Sequence, residues 1–399
     1  MPWKDVKVSE QRIRFVLRAS AGVEEMAGLC REFGISRQTG YKWLKRYRQA
    51  ERIEDLGELS RRPLRSPAKT AAEIEARVVE ERQRRPDWGA RKLRVVLARE
   101  GVNKPVGTIH RVLLRNGLVK PQHQHPPALK RFQRGEPNQL WQMDFKGLPG
   151  NLSQGCAPLS VLDDCSRYAL GLAALSGTKG GEVRGTLRPI FLKSGLPEAM
   201  LLDHGTPWWN AAHPRGWTRL SLWLMGQGIR LHFAAVRHPQ TQGKVERFHR
   251  TLQDALFERG FPAAGEWAAW LEDFREEYNQ VRPHEALGMA VPGSRWIPSA
   301  RAYQEHPPEW DYATGADVRQ VRVSGQLAIA NHDYTISGAL AGERVAIEPL
   351  GGDRLLVYYR ATCVREIDLR KRQSYPVYFS REQPIFDEGE SAPFPPKPA

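Results

Sequence analysis

The sequence predicts a multidomain protein with all-α helix-turn-helix domains at the N-terminus, an α/β core and a small all-β C-terminal module. Three observations predict this order. Apolar residues recur with helical spacing through the first 119 residues, strand-like and helical segments alternate from residue 137, and short strand-like runs separated by glycines occupy residues 318–370. At roughly 100–200 residues per domain, the 399 residues suggest two to four such domains.

The positive charge of the chain lies in its first third. Lys and Arg exceed Asp and Glu by 15 over the whole sequence, but residues 1–135 alone carry a net +16 and the remainder carries −1. A basic block with ordinary helical periodicity is typical of nucleic-acid-binding modules, and a solubilising surface is the alternative. The sequence contains no run of about 20 apolar residues and no apolar leader, and its four cysteines are widely spaced. We therefore expect a cytoplasmic, nucleoid-associated protein that binds DNA and no membrane.

The first predicted domain, residues 1–59, contains a helix-turn-helix. Met26, Leu29 and Phe33 have the spacing of an amphipathic helix, and Ser36 is a suitable N-cap for the helix that follows. That second helix begins with polar side chains that suit base edges and phosphates of the major groove. The DNA-contact candidates are Arg37, Gln38, Thr39 and Lys42. An ordinary helical hairpin with a solvated basic face is the alternative.

A second helix-turn-helix of the same kind, with a weaker signal, is predicted over residues 71–119. Its last helix should turn Ile109, Leu113 and Leu114 inward. Thr108 and Arg111 are the DNA-contact candidates on its outer face.

Two basic segments that contain proline, residues 60–70 and 120–136, join these domains to each other and to the core. The first has no acidic residue, so Arg61, Arg62 and Arg65 could follow phosphates or lie in a minor groove. A plain linker is the alternative.

Three carboxylates stand out in the α/β core, residues 137–295. Asp144 lies within the apolar strand WQMDF, Asp203 ends a second apolar strand, and Glu246 lies in the first turns of a long amphipathic helix. Partly buried carboxylates are costly unless they are paired or bind a cation. If the three converge, their oxygens suit Mg²⁺, and two such ions can assist phosphoryl transfer.

The core motifs WQMDFKG, VLDDCSRY, LLDHGTPW and HPQTQGKVERFHRTL, followed by YNQVRPHEALG, resemble the DDE-type integrase core of bacterial insertion-sequence transposases. That family is related to retroviral integrase and has an RNase H-like fold. The resemblance implies that Asp144, Asp203 and Glu246 form the catalytic and metal-binding triad, with two Mg²⁺ or Mn²⁺ ions. It further implies that water and then a 3′-OH attack DNA phosphodiesters, and that a homo-oligomer, at least a dimer, acts on paired element ends in a bacterial cytoplasm.

Several features leave alternatives open. Asp163 and Asp164 are rival carboxylates, and the chain has His204 and Gln253 where the family usually has Asn and a basic residue. Basic residues near Glu246 could contact DNA phosphates or lie on a solvated helix face. These residues are Lys244, Arg247 and Arg250.

The region after the core is predicted to form a small β-barrel over residues 315–375, similar to the SH3-like barrel of these transposases. It could contact DNA or another subunit, or be purely structural. Residues 383–399 are rich in proline and are predicted to be disordered.

Taken together, these features predict a transposase that binds terminal inverted repeats and performs metal-dependent strand cleavage and strand transfer. The alternatives are a helix-turn-helix regulator with an inactive core and a metal nuclease that does not join ends.

Overall fold

The computed structural model describes residues 8–49, 69–119, 133–148, 156–210, 216–233 and 243–380. The chain divides into two compact units between Lys69 and Thr70. The predicted arm residues Arg61, Arg62 and Arg65, most of the segment 120–136 and the tail 383–399 lie outside the described residues. Within those ranges, the helices are all too short or too polar to cross a membrane.

The first unit is a three-helix domain. Its helices are α1 (Val8–Ala21), α2 (Met26–Glu32) and α3 (Arg37–Gln49). Phe15, Leu29 and Trp43 are buried between them. Gly40 permits the close packing of α3, because a Cβ atom at this position would lie 2.6 Å from Cys30 Sγ. Ser36 caps α3 as predicted, with the Thr39 amide donating to Ser36 Oγ at 3.2 Å.

The second helical domain belongs to the larger unit. Its helices are α4 (Ala72–Arg84), α5 (Ala90–Arg99) and α6 (Val106–Arg115). The inner face of α6 consists of Ile109, Val112 and Leu113, which pack against the fully buried Trp88. The predicted inward position of Leu114 is wrong, since this side chain is 59% exposed. The 3,4 spacing from Ile109 selects Val112 and Leu113 instead.

The core is a mixed five-stranded sheet between two layers of helices. Its strands are β1 (Leu140–Phe145), β2 (Ala157–Asp163), β3 (Ala169–Leu175), β4 (Ala199–Leu202) and β7 (Arg230–Phe233), in the order β3-β2-β1-β4-β7. The strands β1, β2 and β3 are antiparallel, whereas β4 runs parallel to β1 and to β7. A short hairpin of β5 (Trp209–Asn210) and β6 (Gly216–Trp217) follows β4.

Four helices cover the two faces of this sheet. They are α7 (Gly180–Ser194), α8 (Arg219–Gly226), α9 (Gly243–Arg259) and α10 (Trp267–Glu276). The helices α7 and α8 share one apolar cluster with Trp141 and Met143 of β1, and α9 and α10 share another with Leu162 of β2. Alternation along β1 therefore turns Gln142 and Asp144 away from α7 and α8.

The C-terminal region is all-β, but the predicted SH3-like barrel is not confirmed. Its strands are β8 (Asp317–Gln320), β9 (Gln326–Ile329), β10 (His332–Thr335), β11 (Arg344–Gly351), β12 (Arg354–Tyr359), β13 (Thr362–Asp368) and β14 (Gln373–Ser380). Five of them form an open antiparallel sheet, β14-β13-β12-β11-β8, and β9 and β10 form a separate hairpin. The apolar face is covered by the core, since Leu327 and Ile336 belong to the same buried cluster as Trp217. The sheet therefore does not need to close on itself to bury this face.

Candidate catalytic site

Asp144 and Asp203 lie at neighbouring positions of the sheet. The parallel register of β1 and β4 pairs Trp141 with Met200 and Gln142 with Leu201. The same register continued by two residues places Asp144 beside Asp203. Because paired strands lie about 4.8 Å apart, both carboxylates reach the same edge of the sheet.

The turn after β4 fixes the carboxylate of Asp203. The Gly205 amide donates to Asp203 Oδ1 at 3.1 Å, and Trp208 Nε1 donates to the same oxygen. A Cβ atom at Gly205 would lie 2.9 Å from Asp203 Oδ2, so the turn accommodates glycine better than larger residues. Trp208 is buried and stacks on Phe145 at 5.6 Å between ring centroids, which gives this tryptophan a structural role.

The first turn of α9, which carries Glu246, is attached to β1 by a polar network. Gln142 accepts a hydrogen bond from the Val245 amide at 3.2 Å and donates to Asp164 at 2.8 Å. Lys244 Nζ donates to the same Asp164 oxygen. These contacts hold the start of α9 over β1 and leave Glu246 exposed.

The pKa of Asp144 reflects the partial burial of its carboxyl and, to a smaller extent, the negative charge at this edge. It is raised to about 7, first because the carboxyl is buried and then because Asp203 and Glu246 repel its charge. The pKa of Glu246 is also raised, because the side chain loses part of its hydration although it is exposed, whereas Arg250 opposes that shift. Within the described ranges, no three His, Cys, Asp or Glu side chains are close enough together to hold a metal ion. The charges of Asp203 and Glu246 thus act on Asp144, but the three carboxylates are not close enough together to form a metal site in this structure.

His249 lies behind Asp144, one helical turn after Glu246. Its Nδ1 atom is 3.7 Å from Asp144 Oδ2, and its Nε2 atom is 3.0 Å from the hydroxyl of Ser160. Ser160 is the antiparallel partner of Asp144 on β2. Burial lowers the pKa of His249 to about 3, so the imidazole is neutral at ordinary pH.

The rival carboxylates Asp163 and Asp164 are both engaged in the core. Asp163 is fully buried and accepts hydrogen bonds from the backbone of Asn138 and Ser166, each at 2.7 Å, and from the Ser166 hydroxyl at 2.6 Å. Asp164 accepts the contacts from Gln142 and Lys244 described above. Their oxygens are occupied by these donors, which favours a structural role for both residues.

The predicted DNA-contact residues differ in placement. On α3, Arg37, Gln38 and Lys42 are exposed, whereas Thr39 is half-buried and lies 2.9 Å from the Ser36 hydroxyl. On α6, Arg111 is exposed, and its Nε donates to the carbonyl of Gly107 at 3.2 Å, whereas Thr108 is half-buried. On α9, Arg247 and Arg250 are exposed, whereas the Lys244 side chain is 14% exposed and its ammonium is paired with Asp164.

Sequence reasoning missed the polar residues that brace the site. Gln142 lies two positions before Asp144 and therefore shares its face of β1. Strand alternation thus predicts that Gln142 lies on the same face as the site. Within the closing motif YNQVRPHEALG, Asn279 has a structural role. Its buried side-chain amide accepts from the Ala169 amide at 2.8 Å and donates to the Ala169 carbonyl at 2.9 Å.

Comparison with known protein families finds an integrase core and helix-turn-helix domains in this chain. The family described as Integrase core domain matches residues 227–292, a range that includes Glu246. The Helix-turn-helix domain family matches residues 11–63, and the Homeodomain-like domain family matches residues 39–113.

Similar proteins include products of bacterial mobile elements. The insertion element IS407 uncharacterized 31.7 kDa protein of Burkholderia multivorans is 28% identical over 260 residues, which cover 62% of this chain and 90% of that protein. The insertion element IS476 uncharacterized 39.2 kDa protein of Xanthomonas euvesicatoria is 25% identical over 61% of this chain and 69% of its own length. The transposase for transposon Tn552 of Staphylococcus aureus is 22% identical over 73% of this chain and 67% of its own length.

Solved structures with some likeness come from retroviral integrases. A simian T-cell lymphotropic virus intasome in complex with PP2A regulatory subunit B56 gamma has a TM-score of 0.35 and 14% identity, over 72% of this chain and 96% of that one. The HTLV-2 integrase catalytic core domain in complex with magnesium, in its trimeric form, has a TM-score of 0.31 and 13% identity, over 40% of this chain and 97% of that one.

Proposed function

Because the chain belongs to the insertion-sequence transposases with helix-turn-helix domains and an integrase-like core, we propose that it is a DDE-type DNA transposase. In this proposal it binds the terminal inverted repeats of its element and catalyses metal-dependent strand cleavage and strand transfer. The catalytic residues are Asp144, Asp203 and Glu246.

The proposal is supported by the placement of Asp144 and Asp203 on adjacent parallel strands and by the charge of Glu246, which acts on Asp144. Asp144 and Asp203 end up side by side on parallel neighbouring strands, and α9 is attached over β1 with Glu246 in its first turn. Charge repulsion among them contributes to raising the pKa of Asp144, and cations would relieve this repulsion. A donor set made only of carboxylate oxygens suits Mg²⁺ or Mn²⁺. Two such ions, when bound, would supply Lewis acidity at the attacking and leaving oxygens.

The surrounding residues would orient the carboxylates. Gln142, Asp164 and Lys244 hold the start of α9 on β1, and thereby fix the position of Glu246. The Gly205 amide holds one oxygen of Asp203. Support of this kind behind metal-binding carboxylates is typical of sites in which the ligands must keep a fixed geometry.

DNA would be bound by the basic helical domains and by α9. The exposed starts of α3 and α6 would enter major grooves, as in helix-turn-helix proteins. Arg247 and Arg250 are exposed on α9, close to Glu246 in the sequence, and present positive charge to the solvent. Phosphates of the bound DNA would be attracted to these two arginines.

We further propose that the active species is a homo-oligomer, at least a dimer, on paired element ends in a bacterial cytoplasm. This proposal rests on the family, since an element has two ends and the chain has one set of the three carboxylates.

The test is a strand-transfer assay with Asp144→Asn and Glu246→Gln. Purified protein, a labelled duplex of the repeat that flanks the gene, supercoiled plasmid and Mn²⁺ should give joined product with the wild type. Each substitution should lower its yield at least about 100-fold while leaving duplex binding unchanged, because several kcal/mol of transition-state stabilisation depend on the metal. The matched control is Asp254→Asn, an exposed acid on the same helix, which should retain activity.

Two results would reject the proposal. Specific binding of paired ends without any breakage by the wild type would favour a regulator with an inactive core. Breakage without joined product would favour a metal nuclease.

A further inference from the structure

A cleft lies where the core meets the C-terminal β-region, away from the three carboxylates. It is bounded by α8, by the chain around residues 307–312 and by the strands β11 and β12. Its volume is about 610 Å³, within the range of roughly 300–1,000 Å³ that is usual for ligand sites. None of the residues proposed for catalysis lines it.

The walls of the cleft are aromatic and held in place. Trp223, Trp310, Tyr312 and Tyr359 line it, and Trp310 is 38% exposed. The hydroxyl of Tyr312 donates to the Arg344 carbonyl at 2.8 Å and accepts from the Arg360 amide at 3.1 Å. Fixed aromatic walls of this kind are found in grooves that bind proline-rich segments.

The charged groups of the cleft have both signs. Arg219, Arg344 and Arg360 line it together with Glu309 and Glu343, which gives a net charge of +1. Arg344 pairs with Glu309 at 3.5 Å. The two acids would repel a continuous nucleic-acid backbone, whereas the three arginines can attract individual acidic side chains of a peptide segment.

The chain leaves the last strand next to this cleft. In the register of β13 and β14, Ser380 pairs with Thr362, which follows the lining residues Tyr359 and Arg360 by two to three positions. Residues 381–399 lie outside the described residues. They include five prolines and carry four acidic and two basic residues, a net charge of −2.

We propose that the cleft binds the proline-rich segment of this same chain, residues 393–398, in the extended polyproline conformation. Its sequence is PFPPKP, and prolines favour this conformation before binding. The twelve residues between Ser380 and Pro393 span at most about 40 Å when extended, so the segment can reach a cleft whose rim adjoins Ser380. Asp387, Glu388 and Glu390 precede the prolines and complement the arginines. The inference goes beyond the proposed activity and does not depend on it.

The first experiment measures binding of a fluorescein-labelled peptide of residues 386–399, which contains both the acidic residues and the prolines, to the full chain by anisotropy. A variant with Phe394→Ala, Pro395→Ala and Pro396→Ala disables the chain's own segment and should bind the peptide. The wild type should bind it at least tenfold more weakly, because a tethered segment competes at an effective concentration in the millimolar range. Trp310→Ala, added to the disabled variant, should abolish binding.

Matched controls locate the effect. Phe257→Ala removes an exposed aromatic side chain outside the cleft, and Pro384→Ala changes a proline outside the segment. Neither should change peptide binding. Equal binding by the wild type and the disabled variant, or binding that survives Trp310→Ala, would overturn the proposal.

Hydrogen exchange on the full chain provides a second readout without added peptide. Amides of residues 338–344 and 359–361 should exchange faster in the disabled variant than in the wild type. Unchanged exchange would overturn docking within the chain. Loss of DNA affinity in Trp310→Ala, without any peptide binding, would assign the cleft to nucleic acid instead and would also overturn the proposal.

Discussion

The two helix-turn-helix domains have similar sequence patterns but different surroundings. In the first, the buried core of Phe15, Leu29 and Trp43 belongs to a compact unit that ends at Lys69. The second belongs to the same compact unit as the integrase-like core, and Val281 from the closing motif packs against its apolar cluster. Similar local patterns thus give one domain that packs only on itself and one that also contacts the integrase-like core.

An ion-pair network also attaches the second helix-turn-helix domain to the integrase-like core. Arg259, in the last turn of α9, donates to Asp87 at 2.8 Å and to Glu277 at 2.7 Å. Asp87 is nearly fully buried, and the guanidinium of Arg282 lies 6.0 Å from the Trp88 ring. Since α9 carries Glu246 at its other end, this helix links the second DNA-binding domain to the proposed catalytic site. The second domain therefore holds a defined position relative to that site.

The largest expected effect comes from removing the central tryptophan of each domain. Trp43→Ala and Trp88→Ala each remove a buried indole and should cost about 3–5 kcal/mol of the domain's stability. Trp88→Ala should also lower the melting temperature of the core, whereas Trp43→Ala should lower only the transition of the first unit. Differential scanning calorimetry of the full chain measures both transitions. If Trp88→Ala leaves the core transition unchanged, the second domain unfolds independently of the core, as the first domain does.

A smaller effect is expected from Asp87→Ala, which leaves Arg259 without one of its two acidic partners. The loss should be about 2 kcal/mol, because the pair is largely buried. The free energy of unfolding in urea measures it, and a double-mutant cycle with Arg259→Ala should show coupling. Glu272→Gln is the matched control. It removes an exposed partner of Arg275 within α10 and should change stability by well under 1 kcal/mol. Equal effects of the two substitutions would mean that the Asp87 contact does not hold the second domain.

Most of the local structure could be predicted from the sequence, because spacing and caps act locally. Ser36 marked the start of α3, and the apolar strands that carry Asp144 and precede Asp203 were identified. The contacts that join distant segments could not be predicted. Periodicity does not show that Gln142 binds the backbone of α9, nor that the apolar face of the β-region is covered by Trp217 of the core. Because the sequence does not show this cover, it predicts a closed barrel, whereas the structure has an open sheet.

The effect that is smallest at neutral pH is a pH dependence that reports whether the second domain stays docked. Burial lowers the pKa of Lys92 to about 8, with repulsion from Arg282 and Arg247 in the same direction, while Glu285 and Asp87 oppose the shift. In the unfolded chain the ordinary pKa is about 10.4, so between pH 8 and about 10.4 the unfolded state binds more protons than the folded state. Stability from this group should therefore be lowest below pH 8 and rise with pH across that window, by at most about 1.4 kcal/mol per pH unit.

Lys92→Met should remove that rise, because the variant has no ammonium to deprotonate. Urea unfolding of both proteins at about pH 7.0, 8.5 and 9.5, which are one point below the window and two within it, measures the difference, and the other lysines and tyrosines titrate in both and cancel. Lys42→Met, at an exposed position of the first unit, is the control and should leave the slope unchanged. Parallel curves for wild type and Lys92→Met would show that Lys92 is solvated. The surface of α5 would then be open to water, and the second domain would resemble the first in being independent of the core.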